Sequence, residues 1–145
     1  MKETVLVSSC LLGLATRHDG GHALSEEVLA ALGDANIVPV CPEQLGGLPT
    51  PRPAAAIAGG SGADVLDGHA RVVDIEGADV TGRFISGAEA VGAIAALTGA
   101  SRACLKENSP SCGAGFIYTP EGELVRGEGV AAALLRRRGM DVKCF

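Results

Sequence analysis

Three short apolar runs of this chain each lead into a turn that carries a cysteine. The runs are TVLVSS, NIVPVC and ACLKE, and the cysteines at their ends or in the following turns are Cys10, Cys41 and Cys112. Short β-branched runs bounded by Gly or Pro are typical of buried strands. Because the carboxyl ends of parallel strands share one edge of a sheet, we expect three thiols from distant parts of the chain to converge there.

Helix signals lie between these runs. Ser25, followed by two glutamates, predicts an N-cap and a first turn, and Gly33 predicts the end of that helix. Thr81 and Gly99 are the predicted cap and terminator of a longer helix, and an Arg-rich RRRG segment is typical of the end of a third. The predicted strands are 4–9, 36–41, 103–107 and 141–145, and the predicted helices are 26–32, 82–98 and 129–138.

Strands that alternate with helices predict an α/β fold. We expect a single three-layer domain over residues 1–145, with a largely parallel, Rossmann-like sheet. A chain of 145 residues can bury a core without disulfide bonds. Pro39, inside the second predicted strand, favours an edge position or an irregularity there, because proline has no N–H to donate.

Two segments are predicted to depart from this alternation. Four of the seven prolines fall between Pro42 and Pro53, which predicts a stiff, extended loop. The later segment, around Asp67-Gly68 and Glu76-Gly77, predicts short β pieces in a hairpin.

Composition and charge narrow the classes of partner. The formal net charge is -5, which argues against direct binding of nucleic acid through its phosphates and favours a small-molecule substrate. The first apolar run is too short for a secretory signal, and no stretch approaches a membrane span, so no membrane partner and a cytoplasmic location are expected. In a reducing compartment, five cysteines are metal-binding, catalytic or simply buried.

The three converging thiols favour a metal centre. Three thiolates around one soft metal centre leave a coordination position free for a substrate. No pair of cysteines has the close spacing of zinc fingers, so the fold itself must assemble the site. Incidental, buried thiols are the alternative, and Cys104 and Cys144 are expected to be of that kind.

A carboxylate and two serines accompany the cysteines. Glu43 lies two residues past Cys41 and can act as a general acid or base if it is partly desolvated; the alternative is a solvated loop glutamate. Ser109 and Ser111 flank Pro110, and their hydroxyls either satisfy backbone groups or donate to a substrate. The spacing leaves both alternatives open.

The loop after Cys10 supplies further candidates. Arg17 and Asp19 are close enough in sequence to reach the first thiol, and together with Ser111 they are our candidate substrate-binding residues. A phosphate cradle of the thiol-phosphatase kind needs five residues between Cys and Arg, whereas six separate these two. His18 is expected to be an ordinary loop histidine.

Long motifs of the chain resemble a known family. In order, the segments SSCLLG, RHDG, CPEQLGGLPTPRPAA, DVLDG, VTGRFISGAE, LKENSPSCG and GEGVAAALLRRRG resemble, over nearly the whole chain, the bacterial thiouracil desulfurase family, once catalogued as a domain of unknown function. The resemblance implies an oxygen-sensitive 4Fe-4S cluster held by Cys10, Cys41 and Cys112, with one iron not ligated by protein. It also implies catalytic roles for Glu43 and Ser109. Two positions depart from the family pattern: His18 stands where tyrosine is usual, and Ala56 where glutamate is usual.

The function implied by this resemblance is non-redox hydrolysis of a thiocarbonyl, such as that of 2-thiouracil, to give uracil and hydrogen sulfide. The free iron polarises the carbon–sulfur bond as a Lewis acid, water attacks the carbon, Glu43 manages the protons and Ser109 orients the base or the water. The implied partners are a thiolated base and the iron-sulfur assembly machinery.

Two other functions fit the same residues. One is a non-catalytic iron-sulfur or sulfur-carrier module that serves a tRNA-modifying protein. The other is an enzyme that uses Cys10 alone as a nucleophile. The second alternative predicts activity that survives air and chelators and does not require Cys112.

Overall fold

The computed structural model describes residues 2–145. Its strands and helices alternate through most of the chain, as the sequence predicts. The strands are β1 (Thr4–Ser8), β2 (Asn36–Val40), β3 (Ala55–Ala58), β4 (Arg71–Asp74), β5 (Arg102–Leu105), β6 (Phe116–Tyr118), β7 (Leu124–Arg126) and β8 (Asp141–Cys144). The α-helices are α1 (Glu26–Leu32), α2 (Pro42–Leu45), α3 (Gly62–Leu66), α4 (Thr81–Thr98) and α5 (Val130–Arg137).

The centre of the molecule is a four-stranded sheet in the order β2-β1-β5-β8. All three strand pairs are parallel, and Val5 on β1 lies between Ile37 on β2 and Arg102 on β5. The chain runs outward from β1 to β2 on one side and later returns to place β5 on the other. The order therefore reverses between β1 and β5, at the position where open α/β sheets bind their ligands.

Helices cover both faces of this sheet. On one face, Val5 and Val7 of β1 pack in an apolar cluster with Val28 of α1. On the other, Leu6 belongs to a larger cluster that includes Leu135 of α5. Burial on both faces explains why β1 is apolar at successive positions instead of alternating. The predicted three-layer α/β fold with a parallel sheet is confirmed.

Several local predictions are also confirmed. The side chain of Ser25 accepts a hydrogen bond from the N–H of Val28, and α1 has the predicted bounds. Strand β2, which contains Pro39, lies at an edge of the sheet. Two short antiparallel pairs, β3 with β4 and β6 with β7, lie outside the central sheet.

Three local predictions are wrong. The proline segment does not begin as an extended loop, because Pro42 opens the one-turn helix α2, where its missing N–H costs nothing. The residues before Asp67-Gly68 form α3, since Ser61 and Asp64 make a reciprocal capping box. Thr81 is the first residue of α4 and not its cap; its N–H and hydroxyl both donate to the carboxylate of Asp79.

Helix α2 is held close to the long helix α4 by a pair of glycines. A Cβ atom on Gly87 of α4 would collide with the carbonyl of Pro42, and one on Gly46 would collide with the carbonyl of Arg83. Only glycine permits this approach of two backbones. The contact fixes the position of α2 and of the two side chains, Cys41 and Glu43, that it presents to the site described next.

No helix among residues 2–145 combines the length and apolar character that a membrane crossing requires.

Candidate functional site

A cavity of about 580 Å³ lies at the carboxyl edge of the central sheet. Its wall is built by the segments that follow β1, β2 and β5, together with parts of the two antiparallel pairs. The thiols of Cys10, Cys41 and Cys112 all line it, so the fold brings together the three cysteines that the sequence singles out. Cys104 is fully buried in the core, as expected.

Cys10 lies in a 3-10 turn, Ser9–Leu12, directly after β1. Gly13 ends this turn with φ +89°, a left-handed conformation that suits glycine. Burial raises the pKa of the Cys10 thiol, and the neighbouring Cys41 raises it further, against the opposing charges of Lys106 and Arg17. The thiol is therefore held neutral unless a cation joins the site.

Cys41 occupies the cap position of α2, after β2. Its Sγ lies 3.8 Å from the carbonyl oxygen of Thr16 and 3.9 Å from Nη2 of Arg52. The loop after β1 and the turn after β2 therefore meet at this sulfur.

Cys112 is 4% exposed and lies in the loop after β5. Burial raises its pKa to about 12, although a hydrogen bond from Ser8 and the nearby hydroxyl dipole of Ser111 oppose the shift; the charges of Glu43 and Cys41 add to it. The hydroxyl of Ser111 lies 3.6 Å from the sulfur. The charge of Cys41 thus acts on both other thiols, and a positively charged centre nearby would favour ionisation of Cys10 and Cys112.

The three sulfurs are of the donor type that iron-sulfur clusters use, since such clusters are held by cysteine thiolates. All three line one cavity. Within residues 2–145, no three His, Cys, Asp or Glu side chains converge closely enough to hold a single metal ion.

Glu43 is held by a buried ion pair that the sequence does not reveal. Its Oε1 accepts a hydrogen bond of 2.9 Å from Nε of Arg52, and the two side chains are 14% and 3% exposed. The same guanidinium donates from Nη2 to the carbonyl of Thr16 and from Nη1 to the hydroxyl of Thr50. The backbone N–H of Arg52 also donates to the carbonyl of His18. Arg52 therefore ties the carboxylate to the loop that follows Cys10.

The two serines form a chain that ends at the same carboxylate. Ser111 is 2% exposed, and its hydroxyl donates to Oε2 of Glu43 at 2.9 Å. The Oγ of Ser109 lies 2.9 Å from that hydroxyl and accepts hydrogen bonds from the N–H groups of Ser111 and Cys112. Ser111 touches Glu43 directly, whereas Ser109 reaches it through Ser111.

The candidate residues in the loop after Cys10 do not all line the cavity. Arg17 and His18 line the cavity. Asp19 lies outside the cavity wall, where its carboxylate accepts a hydrogen bond from the N–H of Gly21. Arg17 faces Asp19 at 4.0 Å, and both side chains are substantially exposed. Ala56, at the position where the resembling family has glutamate, is also in the wall.

Glu107 anchors the loop that carries Cys112, and the sequence analysis does not single it out. Its Oε1 accepts hydrogen bonds from the N–H groups of Asn108, Ala114, Gly115 and Phe116. Burial opposes ionisation, but these four donors outweigh it and lower the pKa of the carboxyl group. The carboxylate thus fastens both ends of the 108–116 loop. A glutamate just before a Gly-rich loop is the only signal of this role in the sequence.

We expect Glu107→Gln to destabilise the protein by about 1 kcal/mol at neutral pH, because a neutral amide oxygen accepts these hydrogen bonds less strongly than a carboxylate does. The folded-state pKa is lowered, so the charged group stabilises the fold above its unfolded pKa and this contribution is lost as the pH falls through the folded value. Urea unfolding of both proteins should show the full difference above about pH 5 and a shrinking difference below about pH 4. A difference that did not depend on pH would contradict this role.

Comparison with known proteins gives three related results. A model of the 2-thiouracil desulfurase family matches residues 5–144. The uncharacterized protein YbbK of Bacillus subtilis strain 168 is 49% identical over 140 residues, which cover 95% of this chain and 93% of the relative. A solved structure described as the [4Fe-4S]-dependent thiouracil desulfidase TudS is 41% identical and superposes with a TM-score of 0.84, over 99% of this chain and 91% of the other.

Proposed function

Because the chain belongs to the 2-thiouracil desulfurase family, we propose that it removes sulfur from a thiolated pyrimidine such as 2-thiouracil, releasing uracil and hydrogen sulfide. The observation that carries this proposal is the convergence of Cys10, Cys41 and Cys112 on one cavity that also contains a fixed carboxylate, Glu43. The similarity to a solved desulfidase that depends on a 4Fe-4S cluster supports it.

The cofactor in this proposal is a 4Fe-4S cluster with one iron not ligated by protein. Cys10, Cys41 and Cys112 would hold it, since their sulfurs share the cavity and the raised pKa values of Cys10 and Cys112 favour a positive centre beside them. When bound, the cluster supplies a soft Lewis-acidic iron for the sulfur of the substrate. Loading it would require iron-sulfur assembly proteins as partners.

The reaction we propose is a hydrolysis, which needs water as the only co-reactant and no electron donor. Water adds to the thiocarbonyl carbon, a carbon–oxygen bond replaces the carbon–sulfur bond, and the two protons of the water leave with the sulfide. Glu43 is the proposed base that takes a proton from the water and the acid that returns it. Arg52 and Ser111 each hold one of its oxygens, which fixes the direction from which the carboxylate approaches the substrate.

The other candidates assist in this proposal. Ser109 would orient the water or the base, either directly or through Ser111, whose Oγ lies 2.9 Å from the Oγ of Ser109. Arg17 lies in the cavity wall and would contact the substrate there. Asp19 would act through Arg17, its neighbour at 4.0 Å, because it lies outside the wall.

Anaerobic purification followed by an assay with 2-thiouracil tests the proposal. We expect a brown protein with about four irons and four acid-labile sulfides per chain, which forms uracil and sulfide in equal amounts. Exposure to air or to an iron chelator should abolish both the colour and the turnover. A brown protein without turnover would favour the sulfur-carrier alternative, whereas a colourless protein active in air would favour Cys10 as a nucleophile.

A further inference from the structure

Most polar side chains in the cavity wall are already engaged by the protein. Glu43 is bound by Arg52 and Ser111, Ser9 pairs with Thr16, and the ammonium group of Lys106 donates to a backbone carbonyl. No buried nitrogen or oxygen of a side chain lacks a partner within residues 2–145. Groups that are free to bind a ligand must therefore be partly exposed to the cavity.

Four wall residues have nitrogen- or oxygen-bearing side chains with no hydrogen-bonding partner in the described part of the chain: Arg17, which lies 4.0 Å from Asp19, His18, Asn108 and Tyr118. Tyr118 is 48% exposed, and Ile75, another residue of the wall, is 79% exposed. Asn108 is half-buried and belongs to the same loop as Cys112. Of the four, only Asn108 carries a donor and an acceptor side by side on one carbon, so that both can reach neighbouring groups on one edge of a ligand.

The backbone of Asn108 is held in an uncommon conformation. Its φ is +68°, and it is the one non-glycine residue with positive φ among those the structure describes. The N–H of Asn108 donates to the carboxylate of Glu107, and the residue forms an isolated parallel bridge with Ile117. The amide thus projects from a backbone that is fixed on both sides, whereas a free loop would let it turn away.

The orientation of a thiolated base follows from the burial of the thiols. Cys10 and Cys112 are 9% and 4% exposed, and in the proposed function the sulfur of a substrate points toward these buried thiols. The opposite side of the ring then faces the more open part of the wall, where Tyr118 offers an aromatic surface. In 2-thiouracil, the groups beside the thiocarbonyl include a ring N–H and, next to it, a carbonyl oxygen.

We propose that the side-chain amide of Asn108 recognises this N–H and carbonyl edge, so that the site selects pyrimidines that carry an oxo group next to the ring N–H. The amide oxygen accepts from the ring N–H and the amide nitrogen donates to the carbonyl. The inference rests on the proposed function for its substrate class, and it makes Asn108 a specificity residue.

Two variants distinguish the contribution of the Asn108 side-chain amide from that of its backbone conformation. Asn108→Gly removes the amide and tolerates positive φ, and Asn108→Asp keeps the shape and the acceptor but loses the donor. The substrates are 2-thiouracil and pyrimidine-2-thione, which lacks the carbonyl and therefore cannot present a neighbouring N–H and carbonyl edge. We expect Asn108→Gly and Asn108→Asp to lower kcat/KM for 2-thiouracil by about tenfold and to leave kcat/KM for pyrimidine-2-thione within about twofold of wild type, with unchanged iron content.

Calorimetric binding of uracil, which has the same edge and no sulfur, distinguishes failure of this inference from failure of the proposed function. We expect the Kd for uracil to rise about tenfold in Asn108→Gly, whether or not the preparation turns over 2-thiouracil. Equal affinity of wild type and variant, no uracil binding by wild type, or equal losses for the two thiones would overturn the role of Asn108. Absence of turnover together with the expected change in uracil affinity would overturn the desulfidase proposal alone.

Discussion

Replacing Cys10, Cys41 or Cys112 by alanine is expected to prevent assembly of the cluster and to lower turnover of 2-thiouracil by at least about 100-fold. The three thiols come from the loops after three different strands, and each is one of only three proposed protein ligands. A cluster bound by two thiolates would lack the geometry that leaves a single iron open. Iron and acid-labile sulfide counts, with the absorption spectrum, measure the loss directly.

Cys104→Ala is the matched control for these variants. Cys104 is buried and does not line the cavity, since it lies in the core between the sheet and α1. Its replacement should cost some stability but leave the iron count and turnover near wild type. If Cys41→Ala kept a complete cluster, or if Cys112→Ala kept full activity, the three-thiol site would be wrong.

The second large effect is expected from Glu43→Gln, which should lower kcat by about 10² to 10⁴ while the cluster remains bound. The amide keeps the shape, its one oxygen can still accept from Arg52 and its NH2 group can donate to the hydroxyl of Ser111, but it cannot take a proton from water. Single-turnover formation of uracil measures the chemical step, and the iron count reports the integrity of the site.

The Glu43→Gln experiment needs a control, because it leaves the buried charge of Arg52 without its partner. The ion pair between Arg52 and Glu43 is almost fully buried, so removing one charge destabilises the fold as well as the reaction. Ser111→Ala removes a hydrogen bond to the same carboxylate without removing its charge, and it should lower kcat by about tenfold. Glu89→Gln, on the exposed face of α4, makes the same chemical change away from the cavity and should have no effect. Wild-type turnover in Glu43→Gln would exclude the proposed base.

The sequence predicts the sheet and its edge because the signals for them are local. Ser25 places the start of α1, and Pro39 places β2 at an edge, since each acts through its own backbone neighbourhood. Convergence of the cysteines follows from the rule that parallel strands end at one edge. That rule uses only the positions of the cysteines relative to the strands.

The parts that the sequence does not predict depend on tertiary contacts. Helix α2 is one turn long and packs where Gly87 lets two backbones meet, a contact that no local pattern encodes. Arg52 lies between prolines in a polar segment, and its burial depends on a carboxylate nine residues earlier and on the carbonyl of Thr16. The four donors to Glu107 come mostly from the far end of the 108–116 loop, so its role also requires the folded chain.

The contacts of Arg52 bear on how enzymes of this kind diversify. The guanidinium holds the carbonyl of Thr16, and the backbone N–H of the same residue holds that of His18. The main chain on which His18 sits is therefore clamped by a residue outside its own loop, while the imidazole has no protein partner in the described structure. Position 18 can accept different side chains without displacing Cys41, whose sulfur contacts the same Thr16 carbonyl. Under the proposed function, mutation at position 18 would change the preferred substrate while the proposed cluster ligand Cys41 keeps its position.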